Sequence, residues 1–225
     1  MKHARTQSVS AETDLRVSES VAGLVLAGGK STRFGSDKAS ALLLGRPMLQ
    51  WVVAALERTC ESIVVVRADG QVLPYIESQV PLDVVGDQYP AKGPLAGLVS
   101  GFPATQTDLC FAISCDAPLV RPELIPWLAA RAVGHDVVCP KIDGFLQGLC
   151  AIYRPASCLP VLRNLVERDL LQVGAALCEL DTLVVRDSDV RTVDADLRSF
   201  RNANRPEALA ELQRLVGSAI ELPGS

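Results

Sequence analysis

The densest chemistry in this sequence lies at residues 26–38, which read LAGGKSTRFGSDK. The paired glycines, Gly28 and Gly29, let backbone N–H groups approach an anion closely and form a nest for phosphate oxygens. Arg33 and Lys38 add two fixed cations, suited to charge that migrates during phosphoryl transfer. Two familiar phosphate signatures fail here. A Walker loop would need glycine where Leu24 stands, and the dinucleotide fingerprint would need glycine where Lys30 stands. A plain strand-to-helix turn would account for Gly28 and Gly29. It gives no reason for Arg33 and Lys38 in the same loop, whereas phosphate binding accounts for all four.

A second chemical position is Asp116, which closes the run LCFAISCD at residues 109–116. A carboxylate just past a buried strand can hold Mg2+ against a triphosphate, because Mg2+ takes carboxylate oxygens, phosphate oxygens and water. Capping of a helix ahead of Pro118 is the competing explanation. The sequence contains two histidines, His3 in a polar leader and His135, so a histidine triad or a multi-histidine metal site is nearly excluded.

These residues must be positioned by larger elements. Residues 21–27 form an apolar run, read as a buried first strand. The glycine-rich loop then leaves its carboxyl end, where open α/β sheets bind ligands. Pro47 opens a helix reaching residue 59. Further strands are expected at 62–66, 82–85, 109–114, 136–139, 146–153 and 182–186. Helices are expected at 71–78, 95–102, 122–132, 156–168 and 206–216. The alternation implies a three-layer α/β fold with a mostly parallel sheet and helices on both faces. Residues 1–20 read as a disordered leader, 21–217 as a single domain and 218–225 as a flexible tail.

The chain has 225 residues, 48% of them hydrophobic, enough for one core and too few for two comfortable ones. A net charge of −4 argues against a bulk nucleic-acid binder. Seven cysteines are scattered without a CxxC pair, mostly within apolar runs. They read as reduced buried thiols, and hence as a cytoplasmic protein. No apolar run is long enough to span a membrane, and the first twenty residues lack a secretory apolar stretch.

The loop LAGGKSTRFGSDKA resembles the LAGGxSxRxGxDKA signature of the molybdenum cofactor guanylyltransferases, which are Rossmann-like nucleotidyltransferases. Asp87 with the GPLAG run at 93–97 resembles a family element beside the base and ribose, although a helix start would also explain Gly93 and Pro94. CDAP at 115–118 resembles the family's metal-binding element. FRNANRPE at 200–207 resembles its closing element, with Asn202 and Asn204 facing the reaction centre or capping the last helix. Two positions depart from the pattern: Arg67 stands where the family often has Asn, and Gly148 where it has Pro.

The resemblance implies Arg33, Lys38 and Asp116 as catalytic residues. It implies Leu26, Ala27, Gly28, Gly29, Lys38, Asp87, Gly93 and Asp116 around the nucleotide. Asp116 would be the Mg2+ ligand, and Asn202 and Asn204 would lie by the second substrate or the metal. Arg154, Arg163 and Arg168 are further candidates for an anionic second substrate, or simply members of a solvated helix face. The implied reaction is attack by the phosphate of molybdenum-bearing molybdopterin on the α-phosphorus of GTP, without nucleic acid or membrane. Contact with molybdoenzymes or cofactor-delivery proteins follows from the product. The alternatives are a molybdopterin cytidylyltransferase, a sugar-phosphate nucleotidyltransferase, or a non-catalytic nucleotide-binding protein.

Overall fold

The computed structural model describes residues 19–28 and 38–220. Its first strand, β1 (Val21–Leu26), is buried along its whole length. After Lys38 the chain makes a short turn and a small hairpin, β2 (Leu42–Leu43) and β3 (Arg46–Pro47), then α1 (Met48–Leu56). Next come β4 (Ser62–Arg67), β5 (Leu82–Gly86), α2 (Gly93–Gly101) and β6 (Leu109–Ser114). The second half holds α3 (Leu124–Ala129), β7 (Val137–Ile142), β8 (Phe145–Leu146), β9 (Cys150–Tyr153) and α4 (Pro155–Glu167). It ends with α5 (Val173–Cys178), β10 (Thr182–Arg186), α6 (Asp187–Val190) and α7 (Pro206–Ile220).

An eight-stranded sheet runs in the order β10-β7-β9-β6-β1-β4-β5, with β8 paired to β7. Every pairing is parallel except those of β8 and β9. The strands are continuous runs of branched and small apolar residues because both faces are covered. On one face α1 and α3 bury Leu49, Val53, Leu124 and Leu128 against Val25, Val65, Phe111 and Ile113. On the other, α2, α4 and α5 bury Leu95, Val99, Leu162 and Leu177 against Leu24, Val64 and Ala112. This is the three-layer arrangement expected from the sequence.

Three expectations need correction. Residues 71–78 are not helical. Pro74 disfavours helical backbone at Leu73, and the backbone finds other partners. The Gln50 amide donates to the Glu77 carbonyl and accepts from its N–H, at 2.7 Å each, as a strand neighbour would. The single strand expected at 146–153 is two short ones. Gly148 lies between them, where an added Cβ would fall 2.5 Å from Val173 Cγ1, and its carbonyl accepts the Tyr153 hydroxyl. The last helix runs to Ile220, into the stretch assigned to the tail; the lone Gly217 costs only about 1 kcal/mol in a helix and does not stop it. Of residues 1–20, Glu19 and Ser20 are described. Glu19 makes a two-pronged ion pair with Arg154.

Candidate active site

Parallel strands bring their carboxyl ends to one edge. Leu26 sits level with Ser114 on one side and Val66 on the other, and Arg67 with Gly86. Gly28, Ala68, Asp87 and Asp116 therefore line that edge, each just past the end of its strand.

Gly28 is fixed by packing. Its N–H donates to the Val66 carbonyl at 3.2 Å, and a Cβ on it would fall 2.8 Å from the Ala68 backbone nitrogen. The Gln71 side chain binds both neighbouring loops, donating to the Ala27 carbonyl at 3.0 Å and accepting from the Ala68 N–H at 2.8 Å. Arg67 turns its guanidinium to the Gln71 carbonyl, so it braces this corner. Gly29 and Arg33 lie outside the described residues.

Asp116 and Lys38 form the electrostatic centre. Lys38 Nζ lies 2.8 Å from Asp116 Oδ2 and donates to Asn204 Oδ1 at 2.7 Å. The Asp116 side chain is 7% exposed and that of Lys38 24%. Oδ1 of Asp116 is buried and has no hydrogen-bond partner among the described residues. A buried carboxylate oxygen left unpaired is costly, and this one fits a cation. No group of three His, Cys, Asp or Glu converges on it among the described residues. Mg2+ suits such a site because it keeps waters and binds substrate phosphates beside one or two carboxylates. Helix capping does not explain Asp116, since no helix begins until Leu124.

The closing segment comes from far along the chain. The Ala203 N–H donates to the Asp116 backbone carbonyl at 2.8 Å, placing Asn204 on Lys38. Asn204 thus turns its side chain to Lys38, and Asn202 lies beside it, exposed. Below them Leu43, Met48, Ala203 and Leu212 form a small apolar cluster that ties the hairpin and α7 to the site.

Asp87 stands at the same edge, just past β5. Its Oδ1 accepts the Tyr89 N–H and the Ser100 hydroxyl, both at 3.0 Å. Gly93 has φ +76°, which an L side chain would strain. Gly97, the last residue of GPLAG, packs on Leu26, where an added Cβ would approach within 3.0 Å. Arg154 is at the opposite edge, after the end of antiparallel β9, and does not join the site. His135 precedes β7 at that same far edge, paired with Asp181 at 3.0 Å. Arg163 and Arg168 are exposed on and after α4. The sequence reading missed Gln71 and the buried Asp194 behind the closing segment.

Residues 23–180 match the MobA-like NTP transferase domain. The chain belongs to the MobA-like NTP transferase family. It is 31% identical over 204 residues to a probable molybdenum cofactor guanylyltransferase of Chloroflexus aggregans, covering 88% of this chain and 96% of that one. It is 36% identical over 196 residues to a probable molybdenum cofactor guanylyltransferase of Mycobacterium tuberculosis, covering 84% and 91%. The fold resembles that of molybdopterin-guanine dinucleotide biosynthesis protein A from Archaeoglobus fulgidus, with a TM-score of 0.73 at 22% identity over 88% of this chain and 99% of that one. A MobA-like member is a nucleotidyltransferase. No helix among the described residues is long and apolar enough to cross a membrane.

Proposed function

We propose that this chain transfers GMP from GTP to the phosphate of molybdenum-bearing molybdopterin, releasing pyrophosphate and forming the guanine dinucleotide cofactor. The observation that carries this reading is the Lys38–Asp116–Asn204 constellation at the carboxyl edge, in a chain whose relatives are named guanylyltransferases.

The acceptor phosphate needs no general base, because its second pKa is about 6 and it is ionised at neutral pH. That agrees with His135 lying at the far edge. The chain's work is alignment and charge neutralisation. The Gly29 amide, with Arg33 and Lys38, holds the triphosphate and then the departing pyrophosphate, while Gly28, its own N–H taken by the Val66 carbonyl, keeps the backbone bare for close approach. Lys38 can exchange its partner from Asp116 to phosphate as the nucleotide arrives, which frees both Asp116 oxygens. Asp116 would hold Mg2+, which when bound neutralises charge at the α-phosphate. Leu26, Ala27, Asp87 and Gly93 line the nucleotide, and Asn202 and Asn204 face the acceptor. The cytoplasm, with its reduced thiols, is the compartment, and molybdoenzymes or cofactor-delivery proteins receive the product.

The test is pyrophosphate release from each of the four nucleoside triphosphates with molybdopterin as acceptor. Guanine presents O6 as acceptor and N1–H with N2–H2 as donors, whereas cytosine and adenine place an amine where O6 lies. Two mismatches at about 1–3 kcal/mol each give roughly 10²-fold discrimination or more. GTP is therefore expected well above CTP and ATP. Equal or better transfer from CTP would overturn the guanylyl assignment and leave a nucleotidyltransferase.

A further inference from the structure

Behind the site a carboxylate is fully buried without taking part in the chemistry. Asp194 is 0% exposed. Its Oδ1 accepts the Arg198 N–H at 3.0 Å and its Oδ2 the Ser199 N–H at 2.8 Å. Arg121 lies 3.2 Å from Oδ1 as an ion pair, although its Nε lacks hydrogen-bond geometry. The Arg121 N–H donates to the Ser199 hydroxyl at 2.9 Å. Between Asp194 and these turns, Leu197 holds a left-handed φ of +52°.

These bonds join two stretches of chain that also meet at the reaction centre. Residue 121 is tied to 199, and residue 116 to 203, so the loop after β6 and the closing segment run side by side in opposite directions. One end of the pairing is the Asp194 brace. The other is the Ala203 bond to Asp116, beside the Asn204 bond to Lys38. A buried carboxylate accepting two backbone N–H groups and facing a guanidinium is a rigid fixture, since removing it leaves each partner unsatisfied.

We propose that Asp194 is a positioning residue of the transfer site, fixing residues 198–204 against the loop after β6 so that Asn204 and Ala203 hold Lys38 and Asp116 in place. This rests on the reading of Lys38 and Asp116 as the transfer centre. Asp194 touches neither substrate; it acts through the segment it anchors. Misplacement of reacting groups by about 1 Å can cost up to about 10²-fold in rate.

The test compares Asp194→Ala and Asp194→Asn with the unaltered chain in three measurements. The first is hydrogen exchange at the Ala203 amide without substrate. It should quicken by roughly tenfold or more in Asp194→Ala, while core amides such as those of Val25 and Ile113 keep their protection. The second is steady-state transfer. In Asp194→Ala, kcat should fall roughly tenfold or more while the chain stays folded, because Lys38 and Asp116 lose the partners that fix their geometry. Asp194→Asn, which keeps a carbonyl acceptor for one cap, should recover part of the loss. The third is coupling: Asp194→Ala combined with Asn204→Ala should lose clearly less rate than the product of the two single losses.

Uniform loss of protection throughout the core, or fully additive rate losses, would overturn the proposal and make Asp194 a stability residue only. If Asp194→Ala does not fold, Asp194→Asn and Ser199→Ala carry the same three measurements with smaller effects. Inactivity of the unaltered chain toward GTP and molybdopterin would sink the proposed reaction. Ala203 exchange would still decide whether the brace exists.

Discussion

Lys38 and Asp116 neutralise each other across 2.8 Å at the carboxyl edge, with Asp116 the more deeply buried of the two. Such a pair is held by each partner's need for the other, since an uncompensated buried charge is costly. In the proposed reaction a triphosphate would draw Lys38 away and leave the carboxylate to a cation. Asp116→Asn keeps the side chain's shape and its Oδ1 but removes the charge. Its melting temperature should stay within a few degrees, while turnover should fall by about 10²-fold or more. Near-normal turnover with an unchanged Mg2+ requirement would reject Asp116 as the metal-holding residue. If Lys38 and Arg33 read phosphate charge and not the base, Lys38→Ala and Arg33→Ala should each slow transfer from every nucleotide without reordering the preference among them. A changed order without a rate loss, in the four-nucleotide comparison, would assign them another role.

At the scale of elements, close approach sets the geometry of the site. Helix α2 lies on β1 through glycine. A Cβ on Gly101 would fall 2.4 Å from Leu24 Cδ1 and 2.8 Å from Val66 Cγ2, both in the core. Gly101→Ala should therefore cost about 1–3 kcal/mol by overpacking, seen as a lower urea midpoint. Gly28→Val meets backbone at Ala68 instead of a side-chain tip, so it should damage both stability and nucleotide binding. An unchanged KM for GTP in that variant would separate the loop from the nucleotide. The strands β1, β4 and β6, and the polar groups just past their ends, were legible in the sequence because continuous apolar runs end sharply there. The 71–78 segment was not, because a glutamine on α1, Gln50, supplies its backbone partner from 27 residues away. GPLAG was legible as an element, but part of its glycine content serves packing of Gly97 on Leu26. Asp194 carried no local signal, for its partners Arg121 and Ser199 meet only through the fold.

At the scale of the whole molecule, the thiols record how dry the core is. Six of the seven cysteines are buried, and Cys178 is the exposed one. Their burial follows the expectation from the apolar runs around them, and burial has a consequence for pH. Desolvation raises Cys60, Cys139 and Cys158 from 9.0 to about 12, and Cys110 and Cys150 well above 9.0. Thiols in the unfolded chain ionise near 9, whereas these stay protonated in the folded one. Above pH 9 the unfolded state therefore binds fewer protons, and stability falls as pH rises toward 12. Each such thiol contributes a slope of about 1.4 kcal/mol per pH unit once its unfolded form is ionised. Acting together, a few of them exhaust a typical domain stability of about 5–15 kcal/mol within a unit or two. Circular dichroism against pH should show cooperative unfolding starting above about pH 10, with thiolate absorbance appearing in the same transition. Below it, a thiol reagent at pH 8 should label Cys178 quickly in the folded chain and the remaining cysteines only in denaturant. Gradual thiolate formation across pH 9–11 with the helical signal intact would mean that water reaches these cysteines, and that the two apolar layers flanking the sheet are looser than their packing indicates.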